Sequence, residues 1–293
     1  MLSWSHQPVR LAGQVGRALG VSACNRLRVL LYHDIAPEAR GRFEAQLRWL
    51  QRTWTFVSPE RFAAMVTGAE PVVGSCLLLT FDDGFASNRV AAEQVLAPLK
   101  IQAIFFVVTA FVEVEDHEAA RQFVVDHIEP GRSIDDLPKH VSNMRWVDLE
   151  ALLEQGHLIG CHTQTHARLS AITAPADLEH ETLGSAAILA ARLGVPIDHF
   201  AYTFGDLASF SEQALATVRR RFRFVYSGLR GDNAGGVSPL ALRRDAVRAE
   251  EPLALLGAFV EGVADFHYAR ARAQLDAWAD TQPHSAGNAQ GAR

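Results

Sequence analysis

Residues 76–84 read Cys-Leu-Leu-Leu-Thr-Phe-Asp-Asp-Gly. The apolar run is continuous rather than alternating, which is how a strand buried on both faces of a parallel sheet reads. It stops at two adjacent carboxylates, Asp82 and Asp83, and then Gly84. Two acids side by side at the end of a buried strand repel each other and must be desolvated. That is costly unless a cation or hydrogen bonds offset it. Asp-Asp-Gly is equally a common turn sequence, so the stretch alone reads as a turn or as a site with about equal weight.

Runs of the same kind recur on both sides of it, at 28–32, 54–58, 103–108, 157–160, 200–204 and 223–228. Helical spacing fills the intervals. Phe43, Leu47 and Leu50 share one face, as do Trp146, Leu149, Leu152 and Leu153, and Leu215, Val218 and Phe222. Strand alternating with helix over about seven or eight strands predicts a parallel α/β sheet or a (β/α) barrel. No Gly- or Ser-rich linker divides the pattern, so residues 27–280 are expected to form a single domain behind an N-terminal extension, 1–26. Residues 112–143 carry Pro130-Gly131, Asp135-Asp136 and Pro138 and break the rhythm. They are expected to be a partly helical insertion over one face. A Gly- and Asn-rich loop is expected at 229–238, one long helix from Leu253 to Ala279, and a disordered tail at 281–293.

The chain has 293 residues, 48% hydrophobic and 21% charged, with a formal charge of −5. That mixture excludes a disordered, collagen-like or coiled-coil chain. The negative balance argues against nucleic acid or an anionic membrane as the main partner. Cys24, Cys76 and Cys161 are sparse and odd in number, which suits a reducing compartment better than a disulfide framework. The longest apolar run starts at Ala103 and is far short of the ~20 residues a membrane span needs. Val21-Ser22-Ala23-Cys24 resembles a lipoprotein cleavage box, but Gln14 and Arg17 interrupt the segment before it. A short amphipathic helix is the preferred expectation there, and a cytoplasmic location follows.

A second polar cluster ends another apolar run, at Cys161-His162-Thr163-Gln164-Thr165-His166. Imidazole is the commonest metal-ligand side chain, and two of them four apart can face one ion. In a parallel barrel all strand C-terminal ends lie on one face, where active sites are built. Two His and one carboxylate form a known catalytic metal set with an open position, which leaves the second carboxylate free for general-base work.

The two motifs in this order, TFDDG and HTQTH, resemble those of the polysaccharide deacetylases, the NodB-homology or family-four carbohydrate esterases. The resemblance covers roughly residues 27–112 and 144–248. It implies a distorted (β/α) barrel of about seven strands and the hydrolytic removal of an acetyl group from an acetylated saccharide. It implies Asp82 as catalytic base, and Asp83, His162 and His166 as ligands of one divalent metal, zinc in the usual case. It also implies a backbone oxyanion donor in an R-P-P-[YF]-G motif. The matching segment is Ala201-Tyr202-Thr203-Phe204-Gly205, so the donor is the amide of Phe204.

This chain departs from the family pattern at three places. Ala201 stands where the family has the arginine that tethers the base, and Thr203 where it has proline. A subgroup that reads F-A-Y-P-[YF]-G supplies an arginine late in the barrel, and Arg244 is the expected substitute, with Arg243 beside it. The late Leu-x-His motif that carries the general acid is missing. His33, at the end of Val29-Leu30-Leu31-Tyr32, is the expected acid, since histidine titrates in the range the step needs. Cys161 precedes a ligand but points the opposite way in an extended segment, so it is expected to be a small buried residue. Two other readings stay open: a different metal-dependent C–N hydrolase on the same barrel, and a non-catalytic carbohydrate-binding barrel.

Overall fold

The structure is a computed structural model, and it describes residues 25–281. The lipoprotein-like box at Cys24, the N-terminal amphipathic helix and residues 282–293 of the expected tail lie outside the described residues.

Eight strands form one parallel sheet: β1 Arg26–Tyr32, β2 Thr55–Phe56, β3 Ser75–Phe81, β4 Ala103–Val107, β5 Leu158–Cys161, β6 His199–Ala201, β7 Phe224–Tyr226 and β8 Asp245–Ala246. The order is β7-β6-β5-β4-β3-β1-β8, with β2 beside the start of β3. One segment closes the ring. Residues 239–242 bond to β7, where Val225 N–H donates to the Pro239 carbonyl (2.8 Å) and Leu242 N–H to the Val225 carbonyl (2.9 Å). A few residues on, β8 pairs with β1, Leu30 opposite Asp245. The result is a distorted (β/α) barrel.

Alternation along the strands sorts the side chains. Leu27, Val29, Leu78, Ile104, Phe106, Ala201, Tyr226 and Leu242 meet in the barrel interior, which Phe62 and Met65 of the helix Pro59–Val66 close from the N-terminal end. Their neighbours Leu30, Tyr32, Leu77, Leu79 and Phe81 face outward against helices such as Arg40–Leu50 and Trp146–Glu154. Asp82 continues the interior parity of Leu78 and Thr80, and Arg244 that of Leu242, so both point into the mouth of the barrel.

All strands run parallel, so their C-terminal ends share one rim. Tyr32 pairs with Phe81, Phe81 with Phe105 and Phe105 with Ile159, so His33 and Asp82 leave the sheet together while β5 runs two residues further before His162.

Two sequence expectations are corrected. The expected helix Leu253–Ala279 is broken into Leu253–Val260, a 3-10 turn Asp265–Tyr268 and Ala269–Asp280. Gly262 takes φ 80°, and the Val263 N–H closes back on the Ala258 carbonyl (3.0 Å), a glycine helix stop. The turn brings Asp265 to the buried Arg28 guanidinium (2.7 Å), which Asp245 holds on its other side. The expected strand 200–204 ends at Ala201, because Phe204 takes φ 61° and turns the chain out of the sheet.

The insertion packs as a small unit on the rim. Its helix His117–Phe123 is capped by Asp116. Ala120, Val124, Ile128, Leu137 and Val141 form a separate apolar cluster with Phe85, Val108 and Phe111. Arg121 is buried and donates to the carbonyls of Ile134, Leu137 and Pro138. No helix among the described residues is long and apolar enough to cross a membrane.

A candidate metal centre at the barrel rim

After β3 the Asp82 N–H still donates to the Tyr32 carbonyl (3.0 Å), and the chain then turns sharply. Asp83 takes φ 73° and Gly84 φ 98°. Asp is among the few residues that tolerate the left-handed region, and Gly adopts it without penalty. The turn leaves both carboxylates buried, each about 2% exposed.

After β5 the His162 N–H donates to the Val107 carbonyl (3.0 Å). The loop that follows is unusual for its residue types: Thr163 takes φ 67° and His166 φ 62°. A β-branched residue in that region is a genuine outlier, and such strain persists only where surrounding structure enforces it. The enforcement brings His166 back over His162, with ring centroids 5.3 Å apart.

Asp83 Oδ1 lies 3.4 Å from the Nε2 of His162 and 3.4 Å from the Nε2 of His166. One ligand atom from each of the three lies within 4.8 Å of the others. The opposite ring nitrogens are engaged: His162 Nδ1 with the Ala201 carbonyl (2.9 Å), His166 Nδ1 with the His127 carbonyl (2.8 Å). A carbonyl only accepts, so each Nδ1 carries the proton, and in the neutral rings each Nε2 presents its lone pair toward Asp83. Asp83 Oδ1 is itself buried without a hydrogen bond. Three acceptors facing one another need a cation between them or protons on the rings. Tetrahedral zinc with bonds of about 2.0–2.1 Å spaces its ligand atoms about 3.3–3.4 Å apart. The residues therefore fit a divalent metal.

The electrostatics agree. Burial alone would raise the Asp83 carboxyl, but the facing imidazoles of His162 and His166 and the charge of His33 hold it well below the usual carboxylate range. Burial opposes protonation of His162, but Asp82 and Asp83 outweigh it, and its pKa is raised. Positive charge at this point is favoured, whether a proton or a metal supplies it.

Asp82 is held from inside the barrel. Arg244 is fully buried and donates through Nη1 to Oδ1 (2.7 Å) and through Nη2 to Oδ2 (2.8 Å), while its Nε donates to the Ser227 carbonyl (3.0 Å). Arg243 points elsewhere, to Asp276 (2.7 Å) and the Asp232 carbonyl. The tether missing at Ala201 is thus supplied across the sheet.

Phe204 is 38% exposed, and its ring lies edge-on to His166 with centroids 4.6 Å apart. Its positive φ sits in a tight turn closed by Gly205 N–H to the Thr203 carbonyl (2.7 Å). Gly205 is required there, since a Cβ would come 2.8 Å from the backbone of Gly228. Thr203 is buried, and its hydroxyl donates to the Ala167 carbonyl (2.6 Å), tying this turn to the loop after His166.

His33 stands exposed one residue past β1. Its carbonyl accepts from Asn88 Nδ2 (2.7 Å). The adjacent Asp34 is held by Ser87 Oγ (2.6 Å) and by His140 Nε2 of the insertion (2.7 Å). Cys161 turns away, fully buried, with Sγ on Ser185 Oγ (3.3 Å) and its thiol pushed up to about 12 by burial.

The structure thus brings together Asp82, Asp83, His162, His166 and Arg244, and sets His33 and Phe204 at the rim around them. Sequence reasoning missed the insertion's part. His127 contributes only a carbonyl, so no side-chain pattern could reveal it. It missed Glu181, which bonds the loop between the histidines from 15 residues beyond His166.

The profile of the family described as "Polysaccharide deacetylase" matches residues 69–221. That span holds Asp82, Asp83, His162, His166 and Phe204 and leaves out His33 and Arg244. The Bacillus subtilis (strain 168) protein YxkH, whose name places it among polysaccharide deacetylases, is 24% identical over 154 residues. These are 50% of this chain and 46% of that protein, so the match spans less than half of the relative. Two solved structures share the fold. IcaB from Ammonifex degensii superposes with a TM-score of 0.61 at 24% identity, covering 88% of this chain and 98% of that one. The Streptococcus pyogenes deacetylase PplD, in complex with acetate, superposes with a TM-score of 0.62 at 19% identity, covering 80% and 98%.

Proposed function

The chain belongs to the polysaccharide deacetylase family, and we propose that it is a metal-dependent hydrolase that removes acetyl groups from an N- or O-acetylated saccharide. One observation carries this reading: the Asp83 and histidine acceptors converge beside a second carboxylate clamped by a buried arginine. A structural ion pair would not need the unpartnered Asp83 oxygen or the loop strain at Thr163 and His166.

Asp83, His162 and His166 would hold the metal, zinc by the chemistry of the donor set. A metal bound there supplies Lewis-acid polarisation of the acetyl carbonyl and a more acidic water. Asp82 takes the proton from the attacking water, oriented by Arg244 so that both oxygens stay fixed at the mouth. The Phe204 N–H, on its rigid turn, donates to the oxyanion as the carbonyl carbon becomes tetrahedral. His33 donates a proton to the departing nitrogen or oxygen, its loop held by Asn88, Ser87 and His140. The Phe204 ring and the Arg168 guanidinium stacked on it (4.2 Å) line the approach.

The test is acetate release from a panel of N- and O-acetylated saccharides, by the zinc-loaded protein and by the chelated protein. The reading expects release from at least one substrate, lost on chelation and restored by zinc. Turnover unchanged by chelation, or acetyl groups left intact while a formyl or cyclic amide is cleaved, would replace it.

A further inference from the structure

The loop between the two histidines has no regular secondary structure, yet it must keep His162 and His166 at a fixed separation. Its hydrogen bonds show what holds it. The Glu181 carboxylate, 8% exposed, accepts from three donors of this loop: Gln164 N–H (3.1 Å) and Thr165 N–H (3.0 Å) through Oε2, and the Thr165 hydroxyl (2.7 Å) through Oε1. One turn later on the same helical segment, Ser185 Oγ donates to the Thr163 carbonyl (3.0 Å). The Ala110 N–H reaches the Gln164 carbonyl (2.8 Å).

The chemistry explains a carboxylate there. Thr163 and His166, at positive φ, bracket Gln164 and Thr165, so two successive N–H groups point to one side with no ladder to join. Such a concave pair is an anion nest. A buried anion accepting several donors forms charge-assisted bonds, roughly twice as strong as neutral ones. Glu181 touches neither imidazole in the hydrogen-bond pattern, so whatever it does to the centre passes through the loop.

We infer that Glu181 is a positioning residue that fixes the spacing of His162 and His166 and thereby sets the affinity for the divalent metal. This rests on the metal-centre reading above. Its experiment measures zinc affinity of folded, metal-free protein by competition with a chromophoric chelator. The proteins compared are the parent, Glu181→Ala and Glu181→Gln, each with its metal-free melting temperature. The Ala variant should bind zinc about 10–100-fold more weakly, the usual size of an outer-shell effect. Gln keeps the shape and one acceptor, can donate to the Thr165 hydroxyl, and loses the charge, so it should restore part of the affinity. A merely structural role would lower the melting temperature and leave the dissociation constant within about threefold of the parent, and that result overturns the inference. If the Ala variant does not fold, Gln decides: affinity equal to the parent's overturns it, and weakening beyond about threefold supports it. A parent that binds no zinc would overturn the metal centre itself, an outcome distinct from a parent that binds and variants that bind equally well.

Discussion

Replacing Arg244 with Met removes the guanidinium and keeps a long apolar side chain in the same place. Arg244 is 0% and Asp82 2% exposed, and the two form two bonds at 2.7 and 2.8 Å. Removing one partner leaves Asp82 as an uncompensated buried charge, with Asp83 adjacent to it. Breaking a buried pair from one side costs about 3–5 kcal/mol. For a chain of this size that is roughly 6–20 °C in melting temperature. Lys at 244 supplies one point charge and cannot grip both oxygens, so it should fall between Met and the parent. Urea unfolding of the metal-free proteins measures the cost, and a double-mutant cycle with Asp82→Asn assigns it. With the charge gone from 82, Arg244→Met should cost less, and the coupling should exceed the ~0.5 kcal/mol by which independent sites fail to add. Turnover should fall about 100-fold, the scale of a catalytic group misplaced by about 1 Å. Arg244→Met within about 1 kcal/mol of the parent, or an additive cycle, would refute the claim that this arginine holds the base.

Asp82→Asn should retain the metal and lose about 10²–10⁴ in turnover, the usual contribution of a general base; activity within a few-fold of the parent would remove Asp82 from that role. His33→Ala should bind metal normally and slow amide substrates far more than activated esters, whose leaving groups need little protonation; equal losses would make His33 structural. The fold should also be acid-labile below its own rim chemistry. Burial lowers His157 to about 4 and His199 to about 3. His157 Nδ1 accepts from the Ala103 N–H (3.1 Å) and so stays unprotonated. Both rings take a proton near 6.5 only when the chain unfolds, so their penalty is absent above about pH 6.5 and grows as pH falls below it. Each ring contributes about 1.4 kcal/mol per pH unit, or roughly 4 kcal/mol for both at pH 5. His199→Phe should remove about half of that slope in urea titrations between pH 7 and 5, and an unchanged slope would show that other groups carry it.

The barrel was legible because strands buried on both faces read as continuous apolar runs, as at 77–79 and 104–107, and helical spacing fills the intervals between them. The metal-ligand candidates were legible for the same reason: the Asp82-Asp83 pair and His162 directly follow such runs, and parallel strands bring those ends to one rim. Arg244 could be named only as a substitute, because its approach to Asp82 crosses 162 residues of chain. Glu181 and His127 left no local signal, since one acts through backbone N–H groups and the other through its carbonyl. The terminal helix was overextended because apolar spacing continues past Gly262, the glycine that stops its first piece; that the turn beyond it carries Asp265 to the buried Arg28, far away in sequence, left no local signal. Insertion 112–143 was recognisable by its breaks in rhythm, but not as the element that orients His166.

The central claim is that Asp83, His162 and His166 together hold one divalent metal. Elemental analysis of the zinc-loaded, dialysed parent beside His162→Ala tests it most directly. The account predicts one equivalent per chain in the parent and loss of that metal in the variant, with the fold retained by circular dichroism. Stoichiometric metal in His162→Ala, or none in the parent, would contradict it.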